Sequence, residues 1–125
     1  HSVVLMSTRK GAPYDDRVSD DGRELIYEGH DQPKSEAIPN PKNADQILTT
    51  PTGSQTQNGL FYQAAHRYLN NEGAPNIVRV YEKMKPGIWV YSGTFRLVDG
   101  WPEKSSGRTT YKFKLELTDE SSGFD

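Results

Sequence analysis

The chain has 125 residues, which is enough for one domain with a single modest core. Its 17 acidic and 15 basic residues give a formal net charge of −2, which argues against nonspecific coating of nucleic acid but permits a local basic face. It contains no cysteine, which excludes disulfides and thiolate metal sites and fits a cytoplasmic protein. No apolar run approaches the ~20 residues of a membrane helix, so we expect no membrane association.

Two strands are predicted near the start of the chain. The run SVVLMS (2–7) is almost wholly apolar and is typical of a buried strand. The run RELIY (23–27) predicts a second strand, which begins after the turn signal Asp21-Gly22.

The segment 11–31 around that turn concentrates negative charge beside two tyrosines. Its tyrosines and acids are Tyr14, Asp15, Asp16, Asp20, Asp21, Glu24, Tyr27, Glu28 and Asp31. Three interpretations compete: a solvated hairpin, a metal or catalytic acid site, and a polar pocket between aromatic walls. The residues alone leave all three open.

A long polar loop and one helix occupy the middle of the chain. Residues 29–57 contain four prolines and many amides and hydroxyls, and an ordered loop of that length in a small domain tends to be functional. The alternative is a disordered insert. Apolar residues at helical spacing predict a helix over 58–73, with Asn58 as its cap and Gly73 as its end. His66 lies near the apolar face, and we expect it to be a partly buried structural residue.

The remainder of the sequence is typical of β-structure. Segments 76–84 and 109–118 alternate, and 87–101 predicts one or two strands around Ser92-Gly93. In the last segment, Lys112, Lys114 and Glu116 share the polar face. Several strands with one main helix predict an α+β domain built on a strongly curved β-sheet or small β-barrel.

The motifs of most enzyme classes are missing from the sequence. The three histidines form no metal-binding pair, and the acids of 15–21 lack the spacing of a calcium loop, so we expect no metal and no cofactor. There is no G-x-S-x-G motif, and phosphate-loop and dinucleotide fingerprints are absent. A carboxylate pair could hydrolyse glycosides, but a chain of this size rarely builds such a cleft. A binding module is favoured over an enzyme.

Seven landmarks in order then indicate a family. They are an apolar strand before YDD, an acidic turn, IYEGHD with DQ (45–46), TQNG at the helix start, VRVY, YSGTFRLVDGWPE and a closing YKFKLEL. This order resembles the SRA (SET- and RING-associated, or YDG) domain, in the form found in bacterial modification-dependent restriction endonucleases with an HNH nuclease. The resemblance covers nearly the whole chain and implies an SRA/PUA-like fold.

The resemblance implies a pocket for a flipped modified cytosine, either 5-methylcytosine or 5-hydroxymethylcytosine. Tyr14 and Tyr27 match the two tyrosines that sandwich the base in the family, and Asp16, with Asp15 in reserve, matches the aspartate that reads its polar edge. A carboxylate accepts from the cytosine N4 amino group, which thymine lacks. This chain departs from the family at Arg17, and at Glu28, Gly29 and His30, where many members have Thr followed by Gly-Ser-Gly-Gly. Glu28 is expected to accept from the base or to face solvent.

The resemblance also assigns DNA contacts to the long loop. Segment 32–44 matches a finger that enters the duplex, and its candidate contacts are Lys34, Asn40, Lys42 and Asn43. A second family element, the thumb, precedes the first strand. It has no obvious counterpart here, so either the chain is truncated at its N-terminus or Arg9 and Lys10 replace it at the DNA backbone.

The function implied is that of a non-enzymatic recognition module that binds double-stranded DNA with modified cytosine. Its HNH nuclease domain would lie elsewhere in the full-length protein. The sequence leaves open whether that protein forms a homodimer. The alternatives are a small carboxylate-dependent hydrolase and a related barrel domain that serves only in protein interaction.

Overall fold

The computed structural model describes residues 2–7 and 16–118. Within these residues the chain forms six strands, one α-helix and one 3-10 turn. Their bounds are β1 Ser2–Met6, β2 Arg17–Val18, β3 Glu24–Glu28, the 3-10 turn Pro41–Asn43, α1 Gln57–Leu69, β4 Ile77–Lys85, β5 Ile88–Ser105 and β6 Arg108–Leu117.

The strands form one sheet in the order β1-β4-β5-β6-β3-β2. All neighbours are antiparallel except β1, which runs parallel to β4. The register shifts between Val80 and Tyr81 and again between Leu97 and Asp99, and such irregularities bend a strand. The long strand β5 therefore curves the sheet around its core, and the predicted α+β fold with one main helix is confirmed.

The core lies between the concave face of the sheet and α1. Ala65 of α1 is fully buried, and Phe61 packs edge-on against Phe113 of β6 with ring centroids 5.5 Å apart. Gly100 of β5 permits this approach, because a Cβ there would lie 3.0 Å from the Phe113 ring and 3.5 Å from the Ala65 Cβ. His66 bonds the Gly100 carbonyl at 2.8 Å, so its predicted structural role is confirmed.

Two predictions about the strands were wrong in part. The apolar run 2–7 predicted a buried strand, but only Val4 and Met6 of β1 are buried, while Val3 and Leu5 point outward and are exposed. The core covers the side of β1 that carries Val4 and Met6, and the opposite side is exposed at Val3 and Leu5. Segment 87–101 is one continuous strand that extends to Ser105, because its irregularity bends the chain without ending the pairing with β6.

The helix also differs from its prediction. Thr56, not Asn58, is the N-cap, because its hydroxyl accepts from the Gly59 N–H at 3.0 Å. The helix ends at Leu69, four residues before Gly73, with Asn71 at a φ of 60° after it. Asn58 is thereby left in the first turn with a buried side chain that is available for other contacts.

Candidate functional site

Asp16 connects the end of β3 with the chain that follows β1. Its Oδ1 accepts from the backbone N–H of Glu28 at 2.9 Å, at the end of β3, and its Oδ2 accepts from the backbone N–H of Ser7 at 3.2 Å, just after β1. The residue is only 8% exposed. Two convergent backbone donors thus surround one buried carboxylate.

The environment of Asp16 disfavours its charged form. Burial raises the pKa of this carboxyl from 3.8 to about 6, although the hydrogen bonds from Glu28 and Ser7 lower it. The nearby charge of Glu28 raises it further, and that of Lys112 lowers it. The two backbone bonds therefore do not fully replace the lost hydration of this carboxylate.

Tyr27 of β3, the residue before Glu28, borders a cavity of about 220 Å³ that Asp16 itself does not line. Its hydroxyl lies 2.8 Å from His30 Nε2, and its ring lies 6.3 Å from that of Phe61. The residues that line the cavity include Val4, Tyr27, His30, Asn58, Phe61 and Phe113. The lining combines aromatic rings with polar side chains, which suits a flat heteroaromatic ligand.

Asn58 fixes the chain that follows β3. Its Oδ1 accepts from the His30 N–H at 2.8 Å, and its Nδ2 donates to the His30 carbonyl at 2.9 Å. Gly29 is buried directly below, where a Cβ would lie 2.6 Å from Asn58 Oδ1 and 3.0 Å from Gln46 Oε1. The site thus requires glycine at position 29 for reasons of space.

A buried ion cluster lies under the same turn. The Glu28 carboxylate accepts from Lys112 Nζ at 3.0 Å and from Gln46 Nε2 at 3.2 Å, and Arg108 Nη2 lies 3.7 Å away. Lys112 is 1% exposed and Glu28 is 5% exposed. The alternative that Glu28 faces solvent is excluded, and the assignment of Lys112 to the polar face was wrong, because these two buried side chains form an ion pair below the turn.

Asp31 completes the ion cluster at its outer side. It accepts from Arg108 Nη1 at 2.8 Å, from Lys42 Nζ at 2.8 Å and from Gln46 Nε2 at 3.1 Å. Burial raises its pKa, but the hydrogen bonds from Lys42, Arg108 and Gln46 outweigh burial and hold the pKa below its ordinary value. Two cations and an amide make this carboxylate a fixed structural anion.

The long loop is ordered against β6 rather than disordered. Gln46 N–H donates to the Thr109 carbonyl at 2.8 Å, and Gln46 Oε1 accepts from Tyr111 N–H at 2.8 Å. Asp45 Oδ1 accepts from Thr109 N–H at 2.7 Å. The Asp-Gln pair therefore attaches the end of the loop to the sheet, and segment 32–44 projects from this attachment.

The candidate finger residues occupy different settings in that segment. Asn40 caps the 3-10 turn through its side chain, and Asn43 lies within that turn. Lys42 is half-exposed and bonded to Asp31, and Lys34 is exposed. The DNA-contact role of all four of these residues stays a prediction.

The structure brings some of the predicted pocket residues together. Asp16, Tyr27, Glu28, Gly29 and His30 cluster within one turn and its neighbours. Tyr14, Asp15, Arg9 and Lys10 lie outside the described residues. Asp20 and Asp21 form a plain turn, in which Asp21 accepts from Ser19 Oγ at 2.8 Å and from Arg23 N–H at 3.0 Å.

Four residues of the site escaped the sequence prediction, namely Gln46, Asn58, Arg108 and Lys112. Lys112 alternates with Lys114 in a regular strand pattern, so no local signal marks it as buried. Gln46 was noted only as part of the Asp-Gln landmark, and Asn58 was assigned to a cap. Their roles depend on contacts across 11 to 84 positions of sequence.

Within residues 2–7 and 16–118, no group of three metal-ligating side chains converges, and no helix is long and apolar enough to cross a membrane. The sequence matches no protein-family profile and no curated protein, so the comparisons with known proteins rest on the fold.

The architecture is the SRA fold. The chain is similar to the SUVH5 SRA domain bound to fully hydroxymethylated CG DNA, with 25% identity and a TM-score of 0.63 over 94% of this chain. It is also similar to the SUVH5 SRA domain in complex with hemi-methylated CG DNA, with 26% identity and a TM-score of 0.62. Arabidopsis thaliana SUVH6 in complex with SAM shares the fold at 22% identity, with a TM-score of 0.55 over 94% of this chain and 18% of that one.

The chain spans just under two thirds of those two SUVH5 chains, 64% and 65%. The resemblance to SRA domains is thus confirmed at the level of the fold.

Proposed function

We propose that this domain binds duplex DNA that contains 5-methylcytosine or 5-hydroxymethylcytosine and flips the modified base out of the duplex. The observation that carries the proposal is the likeness, over 94% of the chain, to SUVH5 SRA domains in complex with hydroxymethylated and hemi-methylated CG DNA. The cluster of Asp16, Tyr27 and convergent backbone donors supplies chemistry that suits such a base.

The polar groups at the junction complement the edge of cytosine. That edge offers two acceptors, O2 and N3, and one amino donor at N4. The backbone N–H groups of Ser7 and Glu28 are donors that now bond the Asp16 carboxylate. An entering base would take these donors with its acceptors, and Asp16 would then accept from N4. Thymine, which has no amino group, would leave the carboxylate unsatisfied.

Tyr27 is proposed as one aromatic wall of the pocket. Stacking on an aromatic side chain contributes about 1–3 kcal/mol per base, which offsets part of the stacking lost on flipping. The His30 contact to the Tyr27 hydroxyl fixes the position of the ring. Tyr14 remains our proposal for the opposite wall on the basis of the YDD landmark, with Asp15 beside it.

The rest of the full-length protein is inferred from the sequence landmarks. We propose that residues 1–125 form a single SRA-like domain that serves as the recognition module of a bacterial modification-dependent restriction endonuclease. Its HNH nuclease domain would lie elsewhere in that protein. Segment 32–44 is proposed as the finger, and Arg9 and Lys10 as contacts to the DNA backbone.

The test is the affinity of the 125-residue chain for matched duplexes that differ only at one base: cytosine, 5-methylcytosine, 5-hydroxymethylcytosine or a glucosylated derivative. We expect tighter binding to a modified duplex, measured by fluorescence anisotropy. Equal affinity for all four duplexes would refute the proposal.

Two variants locate the pocket. Tyr27→Ala should lower the preference for the modified duplex by about 5- to 100-fold, as expected for the loss of one stacking wall. Tyr68→Ala removes the same atoms from a half-buried position on α1 and serves as the control. If the two variants lose the same amount of discrimination, Tyr27 is not a wall of the pocket.

The carboxylate-dependent hydrolase stays a second candidate because Asp16 has one property of a general acid. A buried carboxyl whose pKa is raised to about 6 can deliver a proton near neutral pH. Turnover of a glycan or nucleotide by the isolated chain, abolished by Asp16→Asn, would favour this candidate. Absence of turnover together with selective DNA binding would exclude it.

A further inference from the structure

The hairpin formed by β4 and β5 extends beyond the core with apolar side chains on both faces. The strands meet at a tight turn in which Lys85 pairs with Ile88 and Gly87 has a φ of 79°. The exposed apolar residues of the hairpin are Met84, Ile88, Trp89, Val90 and Tyr91, each at least 40% exposed. Successive strand residues point to opposite faces, so neither face of this tip is covered.

The outer face of the hairpin alternates cations with aromatic rings. The rings of Tyr81 and Tyr91 lie 5.2 Å apart, and Lys83 Nζ lies 5.8 Å from the centre of the Trp89 ring. Arg79 is exposed two positions before Tyr81 on the same strand face. We call these five residues, Arg79, Tyr81, Lys83, Trp89 and Tyr91, the hairpin face.

The cations of the hairpin differ from those elsewhere on the sheet. On β5 and β6, Arg96 lies 3.7 Å from Glu116, and Lys114 lies 3.7 Å from Glu24. Among residues 2–7 and 16–118, Arg79, Lys83 and Lys85 have no carboxylate within ion-pair distance. With Glu82 as the one acid among residues 77–91, these three cations leave the hairpin with a net positive charge, which favours an anionic partner.

The register of the sheet places the hairpin next to the Asp16 junction. Met6 of β1 pairs with Glu82 of β4, so residues 83–91 continue past the point where β1 ends. At that same point the Ser7 N–H donates to Asp16. A duplex positioned to insert a base at Asp16 would have its flanking backbone within reach of the hairpin.

We propose that the hairpin face, together with Lys85, is a second DNA-contact surface that binds the phosphate backbone beside the flipped base. Lysine and arginine would contact phosphates, and the aromatic rings would pack on sugars and exposed base edges. This inference rests on the proposed function for its ligand. An apolar patch alone would fit a protein partner, but the unpaired cations between the rings favour a polyanion.

The test is the salt dependence of DNA binding by Lys83→Gln/Lys85→Gln. Each lost phosphate contact lowers the slope of log K against log salt by about 0.9, so we expect a slope shallower by about 2. Affinity should fall about tenfold near 0.1 M salt for modified and unmodified duplexes alike. The control Arg67→Gln/Lys104→Gln removes the same charge from α1 and from the end of β5, and should change the slope less.

The outcomes separate this inference from the proposed function. A shallower slope with an unchanged preference for modified cytosine supports the hairpin surface. An unchanged slope in the presence of a clear preference overturns the surface and leaves the pocket intact. No preference in the wild type, with a slope that still depends on Lys83 and Lys85, overturns the pocket but not the surface.

An aromatic variant tests the alternative occupant. Trp89→Ala/Tyr91→Ala should weaken DNA binding and leave the sedimentation coefficient of the free chain unchanged. If the wild-type chain self-associates, and this variant dissociates it without affecting DNA affinity, then the hairpin is a protein-docking surface and our proposal is wrong.

Discussion

Two carboxylates near the same turn, the buried Asp16 and the partly buried Asp31, have opposite pKa shifts. Asp31 is bonded by Arg108, Lys42 and Gln46, and its pKa lies below the ordinary value despite its burial. Asp16 is bonded by two backbone N–H groups, and burial raises its pKa to about 6. The contrast arises because two positive charges offset desolvation where two backbone dipoles do not.

This difference indicates that Asp31 is a structural carboxylate, whereas Asp16 is suited to exchange its hydrogen-bond partners. The partners of Asp31 come from segments far apart in sequence, so its removal would break the link between Lys42 of the loop and Arg108 of β6. The donors that bond Asp16 are backbone groups, which keep their positions when the side chain moves. We therefore expect the ion cluster around Glu28 and Asp31 to stabilise the fold, whereas the junction at Asp16 is our proposal for recognition.

The largest expected effect tests the ion cluster. Lys112→Met leaves the Glu28 carboxylate buried with its nearest cation removed, which typically costs about 3–5 kcal/mol in the free energy of unfolding. Urea denaturation measures this loss. The double variant Glu28→Gln/Lys112→Met should recover most of it, because it buries no uncompensated charge. A loss below about 1 kcal/mol in the single variant would contradict the assignment of this pair as buried and mutually dependent.

The pH dependence of stability distinguishes the two carboxylates. Because the folded-state pKa of Asp16 is raised, its contribution to stability is full below about pH 4 and is lost as pH rises through about 6. A shift of two units corresponds to about 3 kcal/mol at most. Asp31 has the opposite sign, since its lowered pKa adds stability above about pH 4 that is lost on further acidification.

Urea denaturation at a series of pH values measures both effects. Asp16→Asn should remove the decline between about pH 4 and 6, and Asp31→Asn should leave that decline in place. If Asp16→Asn retains the full decline, another group titrates in that window, and the raised pKa of Asp16 is not its cause.

A smaller effect is expected from the residue that holds the turn between the two carboxylates. Asn58→Ala removes two partly buried hydrogen bonds to the His30 backbone, at a cost of about 1–3 kcal/mol in the free energy of unfolding. Because Asn58 bonds neither carboxylate, the decline in stability between about pH 4 and 6 should keep its size. Loss of that decline in this variant would show that the turn and the Asp16 junction depend on each other.

The parts of the fold that depend on local pattern were predicted from the sequence. The alternation of β6, the apolar periodicity of α1 and the turn at Asp21-Gly22 each occur where expected, because neighbouring residues determine them. The order of landmarks gave the SRA fold, although no single motif was specific. The helix cap was wrong because Thr56 and Asn58 are both good capping residues, and the Asn58 side chain bonds His30 instead.

The ion cluster could not be predicted in the same way. Lys112 has the same local pattern as the half-exposed Lys114. Its burial is made favourable by the ion pair with Glu28, which lies 84 positions away in the sequence. Similarly, Glu28 looked like a departure from the family pattern at the floor of the pocket. Its position below the turn depends on Lys112 and Gln46, and no local pattern connects either residue with Glu28.

The smallest expected effect concerns Arg17, where the chain departs from the family next to the proposed reading aspartate. Arg17 Nη2 lies 3.8 Å from Glu103 Oε2, and both side chains are substantially exposed. Exposed pairs of this kind contribute at most about 1 kcal/mol, so Arg17→Ala should change the free energy of unfolding by less than that. The ratio of affinities for modified and unmodified duplexes should also stay constant, because the guanidinium points toward β5 rather than to the Asp16 junction. If Arg17→Ala lowers that ratio as strongly as Asp16→Ala, the base edge is read from position 17, and Asp16 belongs with Asp31 among the structural carboxylates.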